Sequence, residues 1–60
     1  MNSKQVIKTL AASGWAVDRI TKHCIMKKGK KIVPIPMHGS KDIPIGTLKS
    51  ISKITGVKLP

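Results

Sequence analysis

The chain has 60 residues, 12 of them Lys or Arg and only two, Asp18 and Asp42, carboxylates, for a net charge of +10 at pH 7. A chain this short makes one domain, residues 1–60, with little core to stabilise it. Its one cysteine, Cys24, excludes an internal disulfide framework and fits a reducing cytoplasm.

No apolar run approaches the ~20 residues that span a bilayer, so no membrane span is expected. The opening Met1-Asn2-Ser3-Lys4-Gln5 lacks the apolar core of a secretion signal. A charge excess this large attracts polyanions, and nucleic acid is the expected partner. A membrane-surface peptide would need a long basic amphipathic helix with bulky aromatic anchors, which the chain does not have.

Residues 3–13 are predicted to be helical: Val6, Ile7, Leu10 and Ala11 recur at helical spacing, Asn2 or Ser3 can cap the start, and Gly14 can end it. Residues 15–20 read as a strand with Trp15 and Val17 on one face and Asp18 on the other. Residues 23–28 read as a second strand. Lys27-Lys28-Gly29-Lys30-Lys31 then forms a hairpin turn around Gly29. Residues 31–36 make a third strand, and Pro34 and Pro36 should place it at a sheet edge or end it early, because proline donates no ladder hydrogen bond. His38 to Asp42 is a loop. A second helix starts between Pro44 and Thr47, carries the stripe Leu48, Ile51 and Ile54, and ends at Gly56, with Val57 folding back on its last turn.

The order is α-β-β-β-α. Each helix has one apolar stripe and the small antiparallel sheet has one apolar face, so both helices are expected on the same face of a three-stranded sheet. Leu10, Val17, Leu48 and Ile51 should be buried. The opposite face is then open to a ligand.

The inventory of reactive groups narrows the chemistry. Two-metal nucleases need clustered carboxylates, and Asp18 and Asp42 lie in separate segments. A structural zinc site needs about four ligands, whereas Cys24, His23 and His38 give three, with His23 and Cys24 on opposite strand faces. No metal or cofactor is expected. Histidine and cations remain. RNA carries its own nucleophile, the 2′-hydroxyl, so cleavage requires only proton transfer and stabilisation of phosphate charge.

His23, beside Lys22 and near Arg19, is the better candidate for proton transfer; His38 reads as a loop or capping residue. Lys27, Lys28, Lys30 and Lys31 at the hairpin tip can clamp phosphate or simply be solvated. Trp15 could stack on a base, but its place after a helix-ending glycine favours the core.

Several of these residues, in this order, resemble one family. Gly14-Trp15, Arg19, His23, Ile35-Pro36-Met37-His38, Pro44-Ile45-Gly46-Thr47-Leu48-Lys49-Ser50-Ile51 and Gly56 are similar to the pattern of HicA toxins, over essentially the whole chain. The resemblance implies an αβββα fold like that of double-stranded-RNA-binding domains. It implies an mRNA interferase, an endoribonuclease of a toxin–antitoxin system, neutralised by a HicB-like antitoxin. The family's essential histidine follows a Gly-Ser pair near the start of the second strand, and His23 is the matching position. This chain has Thr21-Lys22 where that pair stands. The site expected is therefore His23 as the catalytic group, with Arg19, Lys22, Lys27, Lys28, Lys30 and Lys31 binding RNA. A non-catalytic basic RNA-binding domain, or an inactive HicA homologue, is the alternative.

Overall fold

The structure, a computed structural model, describes residues 1–37, 39 and 41–59. His38, treated above as a loop residue, lies outside the described residues.

Helix α1 (Ser3–Ala12) begins with a reciprocal cap. The Asn2 side chain accepts from the Gln5 backbone N–H at 2.9 Å, and the Gln5 side chain accepts from the Asn2 N–H at 2.9 Å. Two donors that the first helical turn leaves free are thereby satisfied. Val6 and Leu10, one turn apart, are fully buried. The helix stops at Ser13, and Gly14 follows at φ 94°, a conformation a side chain would strain.

Three strands then form an antiparallel meander in the order β1-β2-β3: β1 (Ala16–Ile20), β2 (His23–Lys28) and β3 (Lys31–Pro36). The β2–β3 hairpin closes over Gly29-Lys30 with Lys28 opposite Lys31, and Gly29, at φ 60°, supplies the left-handed residue of the turn. From that hydrogen-bonded closing pair, pairs alternate along the ladder. Pro34 opposite Ile25 and Pro36 opposite His23 fall at the positions that exchange no ladder bond. Both prolines therefore sit on an edge strand at no cost in pairing, as their sequence requires.

Helix α2 (Ile45–Thr55) follows Pro44 and ends at Gly56, φ 72°. The chain then turns back so that the Ser52 hydroxyl donates to the Val57 carbonyl at 2.6 Å, and Val57 packs against the core. Near the start of the chain, the Ile43 N–H donates to the Met1 carbonyl at 2.8 Å and the Met1 ammonium lies 3.3 Å from the Asp42 carboxylate. These contacts hold the segment before α2 against the start of α1.

The core lies between one sheet face and both helices. Cys24 and Met26 from β2 and Val33 and Ile35 from β3 meet Val6 and Leu10 of α1 and Leu48 and Ile51 of α2, with Trp15 and Ile43 at its margins. The expected burial of Leu10, Leu48 and Ile51 is observed. That of Val17 is not: its side chain is 48% exposed, and every residue of β1 is exposed. Both helices pack against β3, the strand at the opposite edge from β1, and leave β1 exposed along its length. Val17 and Ile20 pair with Met26 and Cys24 and so share the helix side of the sheet, but they extend past its cover. Ile54, counted in the α2 stripe, is also exposed, whereas Trp15 is buried, so its ring is not available to stack on a base.

Candidate functional site

Strand alternation fixes what the uncovered face presents. Along β2, Cys24 and Met26 point into the core, so His23, Ile25 and Lys27 point outward. On β3, Val33 and Ile35 point inward and Ile32, Pro34 and Pro36 outward. The register carries the face onto β1, where Arg19 is opposite Ile25 and Ala16 opposite Lys27. Asp18 is the residue out of step between Val17 and Arg19. This bulge puts Arg19 on the open face, although Val17, two residues earlier, lies on the other.

Three rows cross the open face: His23 with Pro36; Arg19, Ile25 and Pro34; and Ala16, Lys27 and Ile32. Directly paired residues lie about 4.5–5.5 Å apart at Cα and diagonal ones about 7–8 Å. The long Arg19 side chain can therefore reach toward both His23 and Lys27. All three are exposed. The turn before β2 positions the histidine, with the Thr21 N–H donating to the His23 carbonyl at 2.9 Å. Lys22, also exposed, sits in this turn directly before His23.

The hairpin lysines do not act as one cluster. Lys27 is on the open face with His23 and Arg19. Lys28 and Lys31, paired with each other, belong to the helix side, and Lys30 is at the tip. The Lys28 ammonium donates to the Ser13 carbonyl at 2.9 Å, and its side chain runs past Gly14. It satisfies a carbonyl at the end of α1 and places a cation at the negative end of the helix dipole. Its role here is a helix cap.

Cys24 is a free, fully buried thiol on the core face, and burial pushes its pKa up. It is a small core hydrophobe with no path to the histidine beside it in sequence. Among the described residues no three His, Cys, Asp or Glu side chains come together as metal ligands, and no helix is long and apolar enough to cross a membrane.

Sequence reasoning missed the apolar members of this face, Ile25, Ile32 and Pro34. The signal was present in the period-two pattern of residues 23–28, but the run Ile32-Val33-Pro34-Ile35-Pro36 has no polar alternation, so its two faces separate only once the register is known.

No curated protein and no solved structure shows significant similarity to the chain. A family model described as the HicA toxin of bacterial toxin–antitoxin systems matches residues 3–57, from the first residue of α1 to the residue that folds back beyond α2. With that match spanning both helices and all three strands, the chain belongs to the HicA family of toxins.

Proposed function

We propose that this toxin is an endoribonuclease that cuts messenger RNA in the cytoplasm without a metal ion or other cofactor, with His23 as its proton-transfer group. The observation that carries this reading is the open sheet face, where His23 is exposed between Arg19 across the sheet and Lys22 in the adjoining turn.

The chemistry needs these groups, the substrate and water. The 2′-oxygen of a ribose attacks the adjacent phosphorus and loses its proton. The bond from phosphorus to the 5′-oxygen breaks, and that oxygen takes up a proton. Imidazole serves either transfer near neutral pH. Water reaches this exposed surface and supplies the other. Arg19, Lys22 and Lys27 hold the phosphates and offset charge as it grows on the non-bridging oxygens. Lys30 at the hairpin tip, and Lys31 beside it, extend the positive surface along the backbone of a longer RNA.

A HicB-like antitoxin with an acidic surface would neutralise the toxin by covering this face and His23, because a +10 protein is steered to negative partners. Co-expression should restore growth and yield a stable complex.

The direct test is cleavage of an RNA and of its 2′-O-methyl form, with EDTA present, by wild type and His23→Ala. The wild type should cut only the unmodified RNA. His23→Ala should lose about 10²–10⁴ in rate while keeping its fold, since an exposed ring adds no core volume. Equal cutting by the variant would remove His23 from the site. Good binding without cutting by the wild type would make this a non-catalytic RNA-binding member of the family, the reading that Thr21-Lys22 in place of Gly-Ser favours.

A further inference from the structure

The solvent face of a small antiparallel sheet is ordinarily polar. Here its middle is not. Ile25 lies between Arg19 and Pro34, and Ile32 lies beside Lys27 and is 55% exposed. In a chain with 12 Lys and Arg, the middle of this face carries Ile25, half-buried, opposite the exposed Pro34, with the exposed Ile32 on the diagonal, and Arg19, Lys27 and His23 around them. Core packing does not account for them, because the core is on the other face.

We propose that Ile25, Ile32 and Pro34 form a seat for one unpaired nucleobase, with Arg19 and Lys27 holding the phosphates on either side of it. The site is thus built for single-stranded RNA, and an RNA duplex is a poor ligand for it. This rests on the reading of the open face as the RNA site.

A flat apolar shelf gains free energy only by covering another apolar surface. The face of an unpaired base provides one. An A-form duplex buries its base faces in the stack and would set phosphates and 2′-hydroxyls over the isoleucines, removing their water without replacing it.

The seat also has consequences for sequence preference. Among the described residues of this face, His23 is the one with a neutral polar group to read a base edge; the others are Ala16, Arg19, Ile25, Lys27, Ile32, Pro34 and Pro36. Arg19 and Lys27 are engaged by phosphate. Contact with a base face discriminates weakly among bases, so binding should tolerate sequence.

The test measures binding by fluorescence anisotropy on the full chain carrying His23→Ala, which prevents cleavage. The probes are adenine-only, uracil-only and mixed RNA octamers and a duplex of the mixed octamer, each over a salt series. The single strands should bind more tightly than the duplex and agree with one another within about threefold. Adding Ile32→Ser, or Ile25→Ser with Ile32→Ser, should weaken single-strand binding by about tenfold at every salt concentration and leave the salt slope unchanged, because an apolar contact releases no counterions. Adding Lys27→Ala should instead reduce the slope by about 0.7, the value of one phosphate contact to a single strand. Circular dichroism on Ile32→Ser, a change at an exposed position, separates lost contact from lost fold.

Tighter binding to the duplex overturns the proposal. So does unchanged affinity in folded Ile32→Ser and the double variant, which would leave the strip to a protein partner. A failed seat with His23-dependent cutting intact refutes this inference alone. An intact seat on a wild type that does not cut refutes the catalytic reading alone.

Discussion

Leu48→Ala and Val17→Ala separate the packing of this domain from its hydrophobic pattern. Both residues are apolar and each occupies a core-facing position of its own element. Leu48 on α2 is 4% exposed, however, and Val17 on β1 is 48% exposed. Truncating a buried leucine costs about 2–5 kcal/mol, through lost transfer free energy and the cavity that remains. Val17→Ala removes the equivalent of two methylenes, worth about 0.8 kcal/mol each when fully buried. At half burial, and with no cavity to leave, the cost is about 0.8 kcal/mol. A domain of this size has a total stability of about 3–9 kcal/mol, so Leu48→Ala removes a large share of it and Val17→Ala little. Each kcal/mol shifts the melting temperature of so small a domain by about 4–8 °C. Thermal melts followed by far-ultraviolet circular dichroism should show a loss of at least ~8 °C, or no folded baseline, for Leu48→Ala and only a few degrees for Val17→Ala. Equal losses would mean that the helices cover β1 and would refute the packing described here.

Lys28→Ala should lower the melting temperature by releasing the Ser13 carbonyl, whereas Lys27→Ala should leave stability intact and weaken RNA binding; the reverse pattern would refute the division of the hairpin lysines between the two faces. Cys24 should resist alkylation in the native protein and react fully in denaturant, as read by mass spectrometry, and rapid native labelling would show that the core opens readily. The thiol pKa is raised in the fold, so its neutral form is the one the fold favours. The associated stability is fully present below the ordinary thiol range and is lost as pH climbs through the raised value. Denaturant midpoints should therefore fall at alkaline pH in wild type by more than in Cys24→Ala, and parallel curves would show that another group controls the alkaline limb. RNA affinity should fall linearly with salt on a log–log plot, and a flat line would rule out phosphate contacts as the source of binding.

Local chemistry made much of the fold legible in the sequence. Asn2 or Ser3 marked the start of α1, Gly14 and Gly56 its end and that of α2, and Gly29 the hairpin, because each of these features depends on a residue and its near neighbours; the structure makes Asn2 the cap and adds Gln5. Pro34 and Pro36 pointed to an edge position or an early end for β3 before any neighbour was known, since a missing N–H excludes a central position, and the structure shows the edge. His23 and Arg19 could be named as candidates from residue type, the neighbouring Lys22 and the family resemblance.

Their company could not be. A strand's two faces differ by a single residue step, so membership of a face depends on register, which is set by pairing across the sheet. Only the tertiary structure places Arg19 on the face of His23, through the bulge at Asp18, and separates Lys27 from Lys28 although they are adjacent in sequence. Val17 shows the same limit in the core. Its pattern says which side it faces, but burial requires something to cover that side, and both helices pack at the far strand. Periodicity assigns a residue to a face, and long-range packing decides whether that face is core, cap or open surface.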